Sequence, residues 1–395
     1  MKQAMGFRFL GLQICRRMKI NMIKLGDVAT YINGYAFKPE DRGVVGLPII
    51  RIQDLTGSAY DLGFYDGDYP KRIEINDGDV LISWSASLGV YVWNGGRALL
   101  NQHIFKVQFD KADIDKRYFV YAVRQKLAEL TMKTHGATMK HIVKKDFEET
   151  SIPYPSQKKQ IEIGINLDKI ANIIAARKQQ LELLDELVKA RFVEMFGDVI
   201  HNDRKWECQQ FSDITISRLG KMLDTKHQTG TCKYPYLANF NVQWFRFELG
   251  NLNEMDFNEK EREEFCLEDG DLLVCEGGEI GRCAVWHNQI KKCFFQKALH
   301  RVRCNQDIIL PDYLSWWFKY NCENGGFTAI EGAKATISHL TGTKMKMLDV
   351  TVPPIELQEQ FVDIIHQVDK SKAAVQKALD ETQMLFDSLM QEYFG

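Results

Sequence analysis

The stretch "INDGDVLISWSASLG", which begins at Ile75, returns as "LEDGDLLVCEGGEIG" at Leu267. Both place Asp-Gly-Asp ahead of an aliphatic run, with a glycine ten residues after the second Asp. One Asp-Gly turn before a buried strand is ordinary. Duplication demands more matches in the same order, and they are present. Asp77 and Asp269 lie 192 apart, as do Gly89 and Gly281. Tyr118 and Tyr313 lie 195 apart. Thr138 and Thr336, His141 and His339, Pro155 and Pro353, and Phe196 and Phe394 all lie 198 apart. The offset only grows, in small steps, as loop insertions would make it grow. The chain is two copies of a unit of roughly 190 residues.

Each unit reads as a strand-rich head followed by a long helix. The short strands of the first copy are "LPIIRIQDL", "DVLISW", "GVYVWN" and "HIFKVQF"; those of the second are "YPYLANF", "DLLVCE", "CAVWH" and "LHRVRC". A helical stretch closes each head, "DKRYFVYAVRQKLAELTM" and "PDYLSWWFKYNCENG". After Pro155 the apolar positions advance by alternating steps of four and three: Ile163, Leu167, Ile170, Ile174, Leu181, Leu184, Val188 and Met195, with Arg177 and Arg191 on the same line. After Pro353 the line is Phe361, Ile365, Val368, Val375, Leu379, Phe386, Leu389 and Tyr393, with Lys372 and Thr382 on it. That spacing is a heptad seam.

The fold class this implies is α+β: a tandem duplication of a mixed α/β domain, each copy followed by a long helix, with the two helices packing as an antiparallel coiled coil. A pseudo-twofold between copies predicts the antiparallel sense and puts the heads at opposite ends of a bar. From Ile163 to Met195 the helix would span about 50 Å at ~1.5 Å per residue. The expected division is an extension (1–21), a first head (22–155), a central helical spacer (156–200), a second head (201–353) and a C-terminal helical spacer (354–395). The extension has a short apolar run broken by Arg8 and followed by Arg16 and Arg17, without a small-residue cleavage site or a stretch of membrane-spanning length. Met18 and Met22 both precede the repeat, so it reads as an upstream start or a loose leader.

Composition narrows the function classes. A hydrophobic share of 45% and a charged share of 26% suit a globular chain with real cores, and a net charge of −2 argues against a uniformly basic surface. Of nine cysteines, eight lie beyond residue 200 and none forms a C-x-x-C pair. Scattered thiols suit a reducing cytoplasm, and neither a zinc ribbon nor a redox motif is supported. No G-x-x-x-x-G-K-[ST] loop is present. "TVPPIEL" is not the Asn/Asp-Pro-Pro-aromatic signature of adenine methyltransferases, and reads instead as the stop between head and helix. "DGD" lacks the remaining ligands of a calcium loop. His141 and His339 have no metal-ligand spacing around them and read as loop or structural residues. No catalytic or metal constellation survives, and no cofactor is expected in this chain.

Taken together, the chain resembles the specificity subunit of a type I DNA restriction-modification system. The resemblance rests on the tandem head-plus-helix order, "DGDVLIS" and "DGDLLVC", Gly-x-Ala-Phe in "INGYAFK", "GATMKHI" and "AKATISHL", and the helix starts "PSQKKQIEI" and "PPIELQEQF". It covers nearly everything from about residue 22. It implies that each head is a target recognition domain reading one half of a bipartite, asymmetric site in double-stranded DNA. It also implies that the helices set the spacer and dock two modification (methyltransferase) subunits. S-adenosylmethionine would then belong to those subunits, and ATP and Mg to a restriction subunit.

Reading bases needs side chains that reach groove edges from loops. The candidates in the first head are Tyr35, Lys38, Arg51, Gln53, Gln102, His103, Thr138, Lys140 and His141. In the second head they are Lys221, Lys226, Asn239, Asn241, Gln296, Lys297, Lys334, Thr336, Ser338 and His339. The second head departs from the family pattern, with "SRLGKML" where Gly-x-Ala-Phe stands in the first. Its first loop is expected to read DNA differently or hardly at all. The competing class is a non-enzymatic coiled-coil scaffold with two protein-binding heads. Salt-sensitive duplex binding separates the two.

Overall fold

The computed structural model describes residues 21–133, 142–223, 230–327 and 339–395. The repeated Asp-Gly-Asp is the turn that launches the innermost strand of each head. Gly78 and Gly270 both take φ +84°, a conformation that glycine adopts without strain. The second Asp closes the turn. Asp79 accepts the Asn76 N–H at 2.8 Å, and Asp271 accepts that of Glu268 at 2.8 Å. Strands Val80–Ser83 and Leu272–Cys275 follow, each buried along its whole length. Because side chains alternate across a strand, Val80 and Ile82 enter one core while Leu81 enters another. The second copy repeats this with Leu272 and Val274 against Leu273 and Cys275.

Around that strand each head builds the same antiparallel four-stranded sheet. The spatial order is Thr30–Asn33, Ile104–Gln108, Val80–Ser83, Gly89–Val92 in the first, and Thr215–Leu219, Leu299–Cys304, Leu272–Cys275, Cys283–Val285 in the second. A second small sheet covers the other face, and each contains one parallel pair, Ile49 with Leu99 and Tyr236 with Phe294. "LPIIRIQDL" and "YPYLANF" are not single strands. The strands stop at Ile50 and Leu237, and a side-chain oxygen three residues on captures the next free N–H: Arg51 N–H to Asp54 at 2.8 Å, Ala238 N–H to Asn241 at 2.9 Å. Local capping overrides the extended pattern there.

The chain divides into two compact units, Met1–Lys178 with Lys377–Gly395, and Gln179–Gln376. Both long helices, Gln157–Phe196 and Ile355–Phe394, cross the division. Within the first unit, Arg177 donates to the Ala378 carbonyl and the Thr382 hydroxyl, while Ile163 and Leu167 share a core with Met390 and Phe394. Positions ascend on one helix as they descend on the other, so the pair is antiparallel. Within the second unit, Asp185 meets Lys372 at 2.5 Å, and the Phe196 and Phe361 rings lie 5.3 Å apart, in the same sense.

None of the sixteen apolar seam positions is exposed. Two details differ from the heptad reading. Arg191 is exposed and its neighbour Phe192 is buried; likewise Met390 and Phe394 are more deeply buried than Leu389 and Tyr393. At both helix ends the buried line has moved on by one residue, because the head, and not only the partner helix, packs there. Phe196 lies 4.8 Å from Tyr313 and Phe394 lies 5.1 Å from Tyr118. The antiparallel sense brings Arg177 to Thr382, so these two of the four polar seam residues satisfy one another.

Candidate nucleic-acid interface

In the first head, four backbone segments far apart in sequence meet at one place. Gly34 lies so close to the Leu100–Asn101 backbone that a Cβ would fall 2.0 Å from the Asn101 carbonyl oxygen. Tyr35 N–H donates to Leu100 and Gln102 N–H donates back to Tyr35, at 2.8 and 2.9 Å. Trp84 N–H donates to His103 at 3.2 Å, and the Trp84 carbonyl accepts Ile142 N–H at 3.0 Å.

The second head repeats the frame. A Cβ on Gly220 would fall 2.3 Å from the Gln296 carbonyl oxygen. Lys221 and Gln296 bridge as Tyr35 and Asn101 do. Glu276 N–H donates to Ala298 at 2.9 Å, and the Glu276 carbonyl accepts Leu340 N–H at 2.7 Å. His103 and Ala298 both have positive φ, +72° and +94°. The glycine of Gly-x-Ala-Phe is thus kept in the second head, while Met222 and Leu223 stand where Ala36 and Phe37 do.

The frame is constant and its side chains are not. In the first head Tyr35, Phe37 and Tyr65 form a run of edge-to-face rings 5.0 and 5.1 Å apart. In the second, Lys221 donates to Glu261 and to the Asp256 carbonyl, both at 2.6 Å, over the Phe257 ring. Trp84 stands on His103 and Phe105; its counterpart is Glu276. Phe105 itself is matched by His300, buried so that its pKa is pushed down and its ring stays neutral.

The frame sorts the candidate residues. Tyr35, Lys38, Gln53, Gln102, Lys297 and His339 are exposed; His103, Asn239 and Gln296 are half-buried. Asn239 donates to the Gly277 carbonyl at 2.9 Å and accepts from Arg282 at 3.0 Å. Thr138, Lys140, His141, Lys226, Lys334, Thr336 and Ser338 lie outside the described residues. Like Asn239, three further candidates are used up inside the fold. Arg51 is clasped by Asp54 at 3.0 Å and by the Asp61 carbonyl, which raises its pKa and leaves its side chain 11% exposed. Lys221 is held by Glu261 and Asp256. Asn241 is 1% exposed, with its amide oxygen on Ala238 and its nitrogen on Glu248. Each spends on its own head the hydrogen bonds a base edge would need.

Sequence reasoning missed Trp84 and Glu276. Their signal is positional: both stand five residues after the second Asp of the repeated turn, where the copies disagree most in character.

Among the described residues no group of His, Cys, Asp and Glu could hold a metal, and no helix is long and apolar enough to cross a membrane. Burial pushes Cys275 up to about 11, and Cys293 and Cys304 up to about 12, so these thiols stay protonated.

The family model described as "Type I restriction modification DNA specificity domain" matches the chain twice, over residues 18–184 and 203–382. The chain belongs to that family. A type I DNA-specificity subunit is the recognition component of a restriction-modification complex and not its catalyst. The chain is 24% identical to the specificity subunit of the Escherichia coli type I restriction enzyme EcoBI, over 94% of its own length and 85% of that protein's. It is 25% identical to the MjaVIII specificity subunit of Methanocaldococcus jannaschii, over 36% of its own length and 34% of that protein's. The fold is that of the S subunit of the M. genitalium type I system, with a TM-score of 0.58 at 13% identity, covering 97% of this chain and 98% of that one. A chain from a structure on complex assembly and conformational transition of the type I R-M system matches with a TM-score of 0.61 at 13% identity, covering 94% and 97%.

Proposed function

We propose that this specificity subunit reads a bipartite, asymmetric sequence in double-stranded DNA, one half with each head, and that its long helices set the spacer between the halves. Residues 22–155 and 201–353 are the two target recognition domains, with 156–200 and 354–395 as the helical spacers. The single observation that carries this reading is the constant backbone frame dressed with different side chains in the two heads. One docking geometry with two sets of edges reads two different sequences. The base-reading set is Tyr35, Lys38, Gln53, Gln102 and His103 in the first head, and Gln296, Lys297 and His339 in the second. To these belong Thr138, Lys140, His141, Lys226, Lys334, Thr336 and Ser338. The helices dock two modification subunits, which hold S-adenosylmethionine; a restriction subunit, where one is present, brings ATP and Mg. The complex works in the cytoplasm, where the DNA is.

Methylation mapping in cells that carry this chain and its modification subunit tests the reading. Exchanging residues 206–340 for the same part of another such subunit is expected to change one half of the modified sequence and leave the other half and the spacer alone. Four residues inserted after Lys178 lengthen the helix by roughly 6 Å and are expected to change the spacer with both halves kept, at some loss of stability from the heptad stutter. If the exchange altered both halves, or the insertion altered base identity, the modular reading would fall.

A further inference from the structure

Each copy has a glutamine five residues past the proline that ends its head, Gln160 and Gln358. These side chains are polar, yet they are only 1% and 0% exposed. Their bonds explain how. Gln160 Oε1 accepts the Asp115 N–H at 3.0 Å, and its Nε2 donates to the Pro155 carbonyl at 2.9 Å. Gln358 Oε1 accepts the Leu310 N–H at 2.9 Å, and its Nε2 donates to the carbonyls of Pro353 and Ile308 at 2.8 and 3.0 Å.

Asp115 and Leu310 immediately precede the head helices Lys116–Lys133 and Pro311–Glu323. One amide in the first turn of each long helix therefore grips both the start of the head's own helix and the exit from its last strand. A tyrosine on the head helix makes a second tie to that exit: Tyr118 to the Pro153 carbonyl at 2.8 Å, and Tyr313 to that of Thr351 at 2.9 Å. A neutral amide satisfied on both sides suits a dry joint, since it carries no charge to desolvate and leaves no buried group unpaired.

We propose that Gln160 and Gln358 are positioning residues that fix the angle between each head and its long helix, and through it the spacer length the subunit accepts. This rests on the bipartite reading above. A head that rocks on its helix carries its loops along the duplex. A rigid joint makes a spacer one base pair too short or too long costly, and a loosened joint lets the head follow it.

The test uses the assembled complex of this chain with its modification subunit. Binding is measured to duplexes carrying the mapped half-sites at the native spacer and at spacers one base pair shorter and longer. Gln160→Met and Gln358→Met keep the length of the side chain and remove its hydrogen bonds. Each is expected to reduce discrimination against the wrong spacers by about tenfold, the scale of one or two lost bonds, with the half-site bases unchanged. If a methionine chain fails to assemble, Gln160→Asn and Gln358→Asn, which keep the amide but shorten its reach, are read in the same way. Unchanged spacer discrimination in an assembled variant overturns the proposal, and so does a changed half-site sequence. A wild-type complex without a bipartite motif overturns the reading beneath it and the proposal together, so the two failures are distinct.

Discussion

The two heads share a backbone and differ in what they use it for. In the first head the loop after Gly34 is anchored by aromatic rings, and Tyr35 remains 43% exposed at its edge. In the second, the same loop is anchored by the ion pair of Lys221 and Glu261, with side chains 15% and 25% exposed, and Met222 and Leu223 are left on the surface. An aromatic anchor keeps a polar, stackable edge available. An ion-pair anchor consumes Lys221, the residue that stands where Tyr35 does in the first head. A duplicated scaffold can therefore diverge in which residues are free to read without any change in its strand order.

The largest expected effect tests how far the copies are equivalent. Phe196 and Phe394 occupy matching places, both fully buried and each against a head tyrosine. Phe196→Ala and Phe394→Ala are each expected to cost about 3–5 kcal/mol. Hydrogen exchange should accelerate in strands 272–304 for the first and 80–108 for the second. Equal acceleration in both sheets from either variant would break the division into two units.

A smaller effect separates the two loop anchors. Lys221→Ala leaves the Glu261 carboxylate without its partner and is expected to cost about 1 kcal/mol, since the pair is only partly buried. Tyr35→Ala, at an exposed edge, is expected to move the melting temperature less than it weakens duplex binding at fixed salt. A Tyr35 variant that loses stability and keeps its affinity would make Tyr35 an anchor like Lys221.

The smallest effect sharpens the comparison of Phe105 with His300. Burial holds the folded-state pKa of His300 below its ordinary 6.5. As pH falls from about 7 to about 5, the unfolded chain takes up a proton that the folded chain refuses, so stability drops across that window. Burial raises the pKa of Asp312 and Asp369, and these are common to both chains, so they cancel in the difference. His300→Phe, which installs the first head's residue, is expected to gain in melting temperature over the wild type as pH is lowered. A difference independent of pH would mean that His300 titrates alike in the folded and unfolded states.

Much of this molecule was legible in the chain because duplication supplies its own control. A pattern that returns at a growing offset of 192 to 198 marks the turns, the strands that follow them and the helix starts without any partner sequence. The seam was legible for the same reason: a heptad is a local, periodic property, and all sixteen apolar positions on it are sheltered. The candidate interface was legible only as regions. The segments around Tyr35, Gln102, Gln296 and His339 do come together with their fellows, but Arg51, Lys221 and Asn241 were chosen for residue type, and residue type does not say where a hydrogen bond is spent.

Sequence alone determined the repeat, the order of head and helix in each copy, and the face of each helix that avoids water, since all of these follow from spacing along the chain. Tertiary structure alone decided that Phe192 and not Arg191 closes the first helix, that Arg177 meets Thr382, and that Gln160 and Gln358 are buried amides bracing the heads. Those outcomes depend on groups far away in sequence: Tyr313 against Phe196, Ala378 above Arg177, Leu310 beside Gln358. A buried polar side chain is stable only where distant backbone supplies its partners, and spacing along the chain carries no record of which backbone that will be.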